Sequence, residues 1–388
     1  MKKSENELMT RIGPGTPAGN MLRRYWWPVI LAEHLGKEPK IIKLLNEEFV
    51  LFRAGNGKLG LLDKHCCHRN ASLEYGRVEQ EGLRCCYHGW LYDTQGKCLD
   101  QPCEPAFSDF KDKVRQGAYA VREVSGLIFA YIGPKPVPEF PNYDLLFDAQ
   151  CHKILNARDI YGNWLQRVEN MVDSLHVMAL HASVYPELAM TRPDVCQWIE
   201  RDYGIEMYLE YPNGVHDRHH YVFPAINRVQ VCRSGQEPYQ FMQWVTPLDD
   251  TKAITFQVWG SERGTAPYTL TTAKYQATKP GDFKRIEDGW WNLWDRDQDD
   301  AAIESQGLIT NRENENLATS DRGIVMMRKM AKKAIEDVKN GKDPIHVIRG
   351  DNPTIKLEAF KSILGDKKGE IRNPELGKKL QVIEPFDL

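Results

Sequence analysis

The chain has 388 residues, of which 41% are hydrophobic and 27% are charged. These values are ordinary for a globular protein, and the length suggests two or three domains or one large domain with insertions. The formal net charge of −3 argues against nucleic-acid binding and against a polybasic membrane anchor. The apolar runs are too short to cross a bilayer and the N-terminus lacks a secretory pattern, so we expect a cytoplasmic location.

The first third of the chain is dominated by short predicted strands. An irregular Gly/Pro segment and the aromatic patch Tyr25-Trp26-Trp27 come first. Turn residues and β-rich composition then predict strands at 47–53 and 58–63, a hairpin within 89–99 and a strand pair within 118–133. Four prolines within 134–144 indicate a domain linker.

The rest of the chain mixes helices and strands. A strand at 153–160 precedes a helix over 162–182, and further helices are predicted at 282–308 and 320–340, the last with Ser320 as its N-cap. Segments of strand composition at 203–211, 219–232, 239–246 and 252–260 indicate an antiparallel sheet. The last forty residues are expected to wrap the surface. We expect an N-terminal segment over 1–25, an all-β domain over 26–134 and a second domain over 135–388.

Nine cysteines are unusual in a chain of this kind, because disulfides are rare in the cytoplasm and clustered cysteines there indicate metal or redox chemistry. The pairs Cys66-x-His68 and Cys85-x-x-His88 form two ligand loops within about twenty residues. Two thiolates and two imidazoles suit either Zn²⁺ or a [2Fe–2S] cluster. Zinc fingers group their two Cys and their two His separately, whereas each loop here supplies one of each. This alternation is the Rieske pattern.

Residues 63–92 resemble the Rieske domain of bacterial aromatic-ring-hydroxylating oxygenases, including HR after the first loop and YHGW at the second. Cys67 and Cys86 depart from that family, which usually has Pro or another small residue at these positions. Tyr87 stands where respiratory Rieske proteins have a disulfide cysteine, so that disulfide is not matched. We expect Cys67 and Cys86 to be free, buried thiols.

A second cluster of ligand residue types lies in ENMVDSLHVMALHAS, which contains Asp173, His176 and His181. Two His and a carboxylate suggest an Fe(II) site with open positions for O₂. His176 and His181 are separated by about 140° on an ideal α-helix, too far for one face. The site therefore requires the helix to end, or to contain a π-bulge, near His181.

The spacing Asn170-x-x-Asp173-x-x-His176-x₄-His181 resembles the mononuclear-iron motif of the same oxygenases. The resemblance implies that the two His bind iron. It also implies that Asp173 does not bind iron, but forms a hydrogen-bonded bridge from an iron-bound His to His88 of a neighbouring subunit.

The third iron ligand is expected in the acidic stretch WDRDQDDAAIESQG, where Asp295, Asp297, Asp299, Asp300 and Glu304 are candidates. The family has its ligand Asp five residues before a Glu, which selects Asp299, with Asp300 as the second choice. Without the two His, a solvated helix face would be the preferred interpretation of this stretch.

The resemblance extends over nearly the whole chain, from RRYWWPV to IESQGLITNRENENLATSDRGIVMMR, and is strongest to the phthalate dioxygenase subgroup. It implies an α+β fold: an all-β Rieske domain followed by a helix-grip (Bet v1-like, START-like) catalytic domain, an antiparallel sheet around a long helix. It also implies a homotrimer or a hexamer of stacked trimers, because electrons cross from one chain's cluster to the next chain's iron.

The implied activity is that of a terminal oxygenase, which contains a [2Fe–2S] cluster and mononuclear non-haem Fe(II). It would use O₂ to hydroxylate or O-demethylate an aromatic compound, most simply an aromatic carboxylate. No G-x-G-x-x-G follows a strand and no plant-type ferredoxin spacing is found, so a separate reductase must supply the electrons. The alternatives are a Rieske electron carrier without oxygenase activity and a structural zinc protein.

Substrate contacts are the least defined part of the sequence interpretation. Arg228 and His219 lie in predicted strands and could pair with a substrate carboxylate, although a surface Arg is an equally good interpretation. Phe223, Phe241 and Trp244 could form an apolar wall, with ordinary core packing as the alternative.

Overall fold

A computed structural model of the chain describes residues 1–148, 151–182, 188–212, 216–231, 239–261, 271–272 and 298–350. Part of the predicted helix at 282–308, the candidates Asp295 and Asp297 and the closing segment 351–388 therefore lie outside the described residues. Across the described ranges, no helix is long and apolar enough to cross a membrane.

Ten strands form two antiparallel sheets in the first third of the chain. They are β1 Trp27–Leu31, β2 Lys40–Leu44, β3 Glu47–Arg53, β4 Leu59–Asp63, β5 Arg77–Val78, β6 Gly82–Arg84, β7 Leu91–Asp93, β8 Cys98–Asp100, β9 Ala118–Val124 and β10 Leu127–Tyr131. The larger sheet has the order β1-β10-β9-β4-β3-β2, and β5 to β8 form a smaller sheet inserted between β4 and β9. The predicted strands are confirmed, whereas β1, β2, β5 and β6 were missed.

Alternation along β3 shows how this unit is built. Val50 and Phe52 face one core, which also contains Cys66 and Cys85, while Phe49 and Leu51 face the larger core beneath the other side of the sheet. Because side chains alternate between faces in a strand, one buried strand can serve two cores. The smaller sheet is thereby anchored next to the two ligand loops.

The second part of the chain is built on one eight-stranded sheet. Its strands are β11 His152–Ile160, β12 Val195–Arg201, β13 Gly204–Glu210, β14 His216–Val222, β15 Ile226–Val231, β16 Tyr239–Asp249, β17 Lys252–Ser261 and β18 Thr271–Thr272. The order is β12-β13-β14-β15-β16-β17-β11-β18, antiparallel except for the last pair. The predicted strand 219–232 is wrong as a single element, because the chain reverses around Pro224 and separates β14 from β15.

Seven α-helices accompany the sheets in the described part of the chain. They are α1 Lys3–Thr10, α2 Pro17–Leu22, α3 Asp144–Phe147, α4 Trp164–Met171, α5 Val177–Leu180, α6 Gln298–Glu304 and α7 Arg322–Lys339. Short 3₁₀ turns lie at Ala32–His34, Leu73–Tyr75, Phe110–Lys113, Arg312–Asn314 and Thr319–Asp321. Helix α7 begins after Asp321 rather than after the predicted N-cap Ser320.

Helices α4 and α7 lie against one face of the eight-stranded sheet, as a helix-grip fold requires. Val168 and Met171 of α4 belong to the same core as Met207 and Tyr221 of the sheet and Met327 of α7. The N-terminal helices join this core, since Trp164 Nε1 donates to the Met9 carbonyl at 3.2 Å. The α+β architecture expected from the resemblance is confirmed.

A buried charge network fixes α4 from the side of α7. Glu169 accepts hydrogen bonds from Arg312 Nη2 at 2.7 Å and from Arg328 Nε at 2.7 Å. Arg328 also pairs with Glu315 at 2.7 Å. Breaking a buried pair leaves an uncompensated charge, so this network strongly constrains where α4 can lie.

The prediction of one helix over 162–182 is wrong. Helix α4 ends at Met171, and the short helix α5 begins only after His176. The Asp173 carboxylate accepts the backbone N–H of Leu175 at 3.0 Å and of His176 at 3.3 Å, in place of helical carbonyls. A side chain that satisfies nearby N–H groups competes with the helix.

Candidate metal centres

The two loops that carry the Cys and His pairs have the same backbone design. In the first, Cys66 N–H donates to the Ala71 carbonyl at 2.9 Å and Asn70 N–H to the Cys66 carbonyl at 2.9 Å. In the second, the Cys85 N–H donates to Trp90 at 2.8 Å and the Gly89 N–H to Cys85 at 3.1 Å. Asn70 and Gly89 both have positive φ, at +59° and +72°. The loops therefore present their first cysteines equivalently.

Burial separates the four clustered cysteines into two kinds. Cys66 and Cys85 are 1% and 3% exposed, whereas Cys67 and Cys86 are exposed. The prediction that Cys67 and Cys86 are buried thiols is wrong, because the residue after each loop's first cysteine turns outward. Of these four, only Cys66 and Cys85 face the interior of the smaller unit.

The surroundings of Cys66 favour a thiolate. A contact with the Cys85 thiol lowers the pKa of Cys66 to about 5, and the Tyr92 hydroxyl, 3.1 Å from Sγ, acts in the same direction. Backbone N–H groups of His68 and Arg69 add to this. The same contact raises the pKa of Cys85. Thiolates are the form in which cysteines bind metals.

The two imidazoles lie side by side at the tip of the loops. The rings of His68 and His88 are 4.5 Å apart, and His68 stacks on Trp90 at 4.2 Å. Within the described part of the chain, His88 Nδ1 is buried and has no hydrogen-bond partner. A buried ring nitrogen without a partner is costly, and binding a metal would satisfy it.

The donor set fits a binuclear cluster better than a single ion. A tetrahedral Zn²⁺ needs its ligand atoms about 3.3–3.8 Å apart. No three ligand atoms of Cys66, His68, Cys85 and His88 lie within 4.8 Å of one another. Two thiolates and two imidazoles spread over a larger span suit a cluster with two Cys on one iron and two His on the other.

Two side chains that the sequence interpretation missed brace these loops. Gln116 accepts the Cys67 N–H at 2.7 Å and donates to the His65 carbonyl at 2.8 Å. Arg84 donates to the Gly89 carbonyl at 2.5 Å and pairs with Asp100 at 2.8 Å. A lone Gln or Arg carries no sequence signal for such a role, since each contact joins separate strands or loops.

The second group of ligand atoms lies where α5 meets α6. In the described ranges, His176, His181 and Asp299 are the one set of three potential metal ligands whose donor atoms lie within 4.8 Å of each other. Asp299 Oδ1 is 3.3 Å from His176 Nε2 and 3.0 Å from His181 Nε2. The helix is interrupted before His176, and α5 ends at His181. The two rings therefore come to 5.3 Å between centroids, although their spacing would separate them on a continuous helix.

Each imidazole in this group has its other nitrogen occupied. His181 Nδ1 hydrogen-bonds to the Gln298 amide oxygen at 2.5 Å, and His176 Nδ1 hydrogen-bonds to the Asp173 backbone carbonyl. Such a partner fixes the tautomer with the proton on Nδ1 and puts the lone pair on Nε2, the nitrogen that faces Asp299 and that could bind a metal. Gln298 precedes Asp299 in α6. One turn of this helix therefore supplies both the ligand candidate Asp299 and the side chain that orients His181.

Electrostatics keep the third member of the group ionised. Burial alone would raise the pKa of Asp299, but Arg167, His176 and His181 hold it well below the usual value. In turn, Asp299 raises the pKa of His176 against the opposing effect of burial. Asp300, the second choice, is buried and pairs with Arg158 at 2.9 Å, away from the two His.

Asp173 lies at the edge of this group. Its Oδ1 accepts the two backbone N–H groups described above, and its Oδ2 is 4.0 Å from His176 Nδ1. The side chain is 26% exposed. It is therefore next to a metal-ligand candidate without belonging to the set of three.

Strand register decides where the two substrate candidates lie. Directly opposed residues share a face and neighbours along a strand alternate. His219 is opposite Val229 and Met207, and Met207 Sδ contacts Ser174 Oγ at 3.5 Å. His219 is therefore on the face of the sheet that lies toward the candidate ligand group, here called the metal-facing side. His219 Nε2 pairs with Asp217 at 2.6 Å.

Arg228 lies on the opposite face of the sheet. Its guanidinium pairs with Asp144 of α3 at 2.9 Å and its side chain is 5% exposed. Phe223 and Trp244 are buried in the two cores, 0% and 1% exposed, which agrees with ordinary core packing. Phe241 does lie on the metal-facing side, where it contacts Trp259 with ring centroids 4.3 Å apart.

A row of carboxamides crosses the metal-facing side of the sheet beside these aromatics. Asn227, Gln243, Gln257 and Asn156 are opposed in sequence across β15, β16, β17 and β11. Gln243 contacts the guanidinium of Arg167, which also contacts Asp299. The row is therefore connected to the metal-ligand group through Arg167. It runs next to a strip of aromatic and aliphatic residues around Phe241 and Trp259.

Comparisons with known proteins agree with this arrangement. Residues 25–120 match the family described as the Rieske [2Fe-2S] domain, and residues 274–381 match the LigXa C-terminal domain like family. The chain is 33% identical to the 5,5'-dehydrodivanillate O-demethylase oxygenase subunit of Sphingobium sp. (strain NBRC 103272 / SYK-6), over 90% of this chain and 84% of the relative.

Two further relatives also align over most of this chain and most of their own length. The phenoxybenzoate dioxygenase subunit alpha of Ectopseudomonas oleovorans is 32% identical, with 87% of each chain covered. The phthalate 4,5-dioxygenase oxygenase subunit of Pseudomonas putida is 29% identical, with 88% of each chain covered. These relatives are oxygenase subunits, and nothing in them supports the electron-carrier alternative.

The fold has a close counterpart among solved structures. The NdmA QL mutant of Pseudomonas putida CBB5 with theobromine superimposes with a TM-score of 0.67 at 21% identity, over 86% of this chain and 98% of that chain. The two cofactors of the family, a [2Fe–2S] cluster and mononuclear non-haem iron, match the two donor sets. The chain belongs to the Rieske non-haem iron oxygenases, as the terminal oxygenase subunit of a multicomponent system, in the group that includes phthalate 4,5-dioxygenase.

Proposed function

We propose that Cys66 and Cys85 bind one iron of the [2Fe–2S] cluster and that His68 and His88 bind the other. We further propose that His176, His181 and Asp299 bind the mononuclear iron. The observation that carries this second assignment is the convergence of three ligand atoms within 4.8 Å, two of them with their tautomer fixed by a neighbour. Two His and one carboxylate are the donor set that leaves open positions for O₂ and substrate at Fe(II).

When bound, the two metal centres supply single-electron transfer and O₂ activation, and the chain's own residues hold and tune them. Tyr92 favours the thiolate of Cys66, and Gln116 and Arg84 keep the loops in shape. Gln298 and the Asp173 carbonyl hold the Nδ1 protons of the two His. Removing such partners costs metal affinity or activity without removing a ligand.

Asp173 is the proposed link between the two centres. Its side chain is partly exposed and its Oδ2 is 4.0 Å from His176 Nδ1, so it can accept a hydrogen bond from His88 of a neighbouring subunit. This role requires a homo-oligomer, for which we propose a trimer or a hexamer, because a head-to-tail ring brings one chain's cluster to the next chain's iron. A cytoplasmic location and the domain division at 25/26 and 134/135 remain parts of the same proposal.

The proposed substrate is an aromatic compound with an oxygen-containing substituent, most simply an aromatic carboxylate. The relatives named above support this, since phthalate and phenoxybenzoate are aromatic acids. The strip around Phe241 and Trp259 offers an apolar surface for a ring, and the carboxamide row beside it offers hydrogen bonds for polar substituents. His219 remains a candidate contact, whereas the ion pair with Asp144 argues against Arg228.

Metal analysis and EPR test the assignment. Purified holoprotein should contain acid-labile sulfide and about three irons per chain, two in the cluster and one in the mononuclear site. His176→Ala should lose the mononuclear iron but keep the cluster signal, and Cys85→Ala should lose the cluster. Zinc in place of iron and sulfide would refute the proposal.

Asp173→Ala separates the bridge from the ligands. This variant should retain both metals while electron transfer between cluster and mononuclear iron slows sharply in single-turnover experiments with a pre-reduced cluster. Normal turnover would show that Asp173 is not the bridge. Product analysis with a panel of aromatic acids, a surrogate reductase and labelled O₂ would then identify the substrate and distinguish hydroxylation from O-demethylation.

A further inference from the structure

The two carboxylate oxygens of Asp299 face different partners. Oδ1 is directed at the metal-ligand group, at 3.3 Å from His176 Nε2 and 3.0 Å from His181 Nε2. Oδ2 instead pairs with the guanidinium of Arg167, at 3.2 Å from Nη1. The carboxylate is therefore oriented so that one oxygen is available to a metal and the other is paired with a cation.

Arg167 is itself held in place. Its side chain is 5% exposed, and Nη1 also donates to the Asn170 amide oxygen at 2.5 Å. Its Nη2 contacts the carboxamide of Gln243 on β16. The Asn170 amide nitrogen then returns to Asp299 Oδ1 at 3.2 Å. A planar guanidinium fixed at several donors is a rigid partner, unlike a flexible surface cation.

A carboxylate that binds one metal ion through both oxygens must turn both of them toward it. That turn would move Oδ2 out of its 3.2 Å contact with Arg167 Nη1 and weaken the ion pair of a buried guanidinium, which is unfavourable. We propose that Arg167 makes Asp299 a one-oxygen ligand and so keeps one more coordination position open at the mononuclear metal. Arg167 acts here as a positioning residue, because it contacts the ligand and not the metal.

This inference rests on the proposed function, in which His176, His181 and Asp299 bind the mononuclear iron. It goes further by specifying how Asp299 binds and which side chain decides it. With three protein donors on one side of a six-coordinate ion, three positions stay open rather than two. An open position is what a site that binds both O₂ and a reacting substrate requires.

The chain offers a matched control for the buried ion pair. Arg158 of β11 pairs with Asp300, the next residue of α6, at 2.9 Å. These side chains are 10% and 0% exposed, against 5% for Arg167 and 21% for Asp299, so both pairs are largely buried. Arg158→Met breaks a comparable ion pair on the same helix without touching Asp299. A general loss of packing would therefore affect both variants, and a change of ligation would affect one.

The decisive measurement is the pair of metal–oxygen distances to Asp299 in the Fe(II)-loaded holoprotein. These distances come from anaerobic crystal structures of the wild type, Arg167→Met and Arg158→Met. In the wild type and in Arg158→Met we expect Oδ1 at about 2.1 Å from iron, with Oδ2 within about 3 Å of Arg167. In Arg167→Met we expect both oxygens to move to about 2.2 Å from iron.

Two results would overturn the inference. One is a wild-type site in which both Asp299 oxygens bind iron while Arg167 is intact. The other is an Arg167→Met site with one oxygen bound, as in the wild type. If Arg167→Met does not fold, the wild-type distances and those in Arg167→Lys, which keeps the charge and should keep one-oxygen binding, decide the question. A wild-type protein without iron at His176 and His181 would instead refute the proposed function.

Discussion

Gln298 allows the sharpest test of how this chain tunes its mononuclear site. Its amide oxygen hydrogen-bonds to His181 Nδ1 at 2.5 Å, and its side chain is fully buried. Replacing Gln298 by Leu keeps most of the volume but removes the acceptor, so His181 can rotate or carry its proton on Nε2. Loss of such a partner typically lowers metal affinity 10–100-fold, about 1.4–2.7 kcal/mol.

The structure narrows this range. His176 keeps its own partner at the Asp173 carbonyl and Asp299 keeps Arg167, so two of the three ligand candidates stay oriented. We therefore expect a loss nearer to tenfold, about 1.4 kcal/mol. The assay is anaerobic equilibrium dialysis of Fe(II) against protein that has its cluster but lacks mononuclear iron, with the cluster absorption as the concentration standard.

Gln166 provides the control for buried glutamine loss. It is 1% exposed and donates to the carbonyls of Ile303 and Gly307, at 3.2 and 2.9 Å, so it stabilises the same region without contacting a ligand candidate. Gln166→Leu should lower the melting temperature but leave the Fe(II) dissociation constant unchanged. Equal Fe(II) affinity in wild type and Gln298→Leu, or an equal loss in Gln166→Leu, would refute the reasoning.

Three further predictions concern the cluster and the sheet. Tyr92→Phe removes the hydroxyl 3.1 Å from Cys66 Sγ. If that hydrogen bond favours the reduced cluster by about 1 kcal/mol, redox titration should show a fall in the reduction potential of about 40 mV. An unchanged potential would contradict this. Burial lowers the pKa of His220 to about 3, below about 6.5 in the unfolded chain. The unfolded state therefore binds more protons between these values, and stability is lost as the pH falls through this window, by at most about 1.4 kcal/mol per pH unit. Melting temperatures at about pH 7.5 and about pH 5.5 should differ less in His220→Gln than in wild type, and an equal difference would exclude His220 as the cause. Gly89 has φ of +72°, and a Cβ there would lie 2.7 Å from Pro102 Cγ. Gly89→Ala should therefore reduce the acid-labile sulfide per chain. Gly57→Ala should not, because Gly57 has open space around it.

The cluster loops were predictable from sequence because their information is local. Each loop brings one Cys and one His within four residues, and Cys66 and Cys85 are the two that the structure buries together. The exposure of Cys67 and Cys86 was not predictable, since adjacent residues in an irregular loop follow neither helical nor strand periodicity. It follows from the backbone hydrogen bonds that close each loop around its first cysteine.

The mononuclear site shows where local information ends. The sequence determined that His176 and His181 could share a metal only if the helix were interrupted, and the family pattern selected Asp299 over Asp300. Tertiary structure decided how: the Asp173 carboxylate replaces helical acceptors, and α6 brings Asp299 and Gln298 to α5 from more than a hundred residues away. Arg167, Gln298 and the carboxamide row carry no motif, because their roles exist only through contacts between distant strands and helices.

The nine cysteines and the near-neutral net charge of the chain differ in how much they reveal about function. The cysteine and histidine spacing by itself determined the kind of cofactor, since ligand chemistry depends on residue type and short-range spacing. Only the tertiary structure decided which face of the sheet lies toward the candidate ligands His176, His181 and Asp299. It placed His219 on that face and Arg228 on the opposite face with Asp144. The physical reason is that strand alternation gives two equivalent faces, and only packing against α4 distinguishes one from the other.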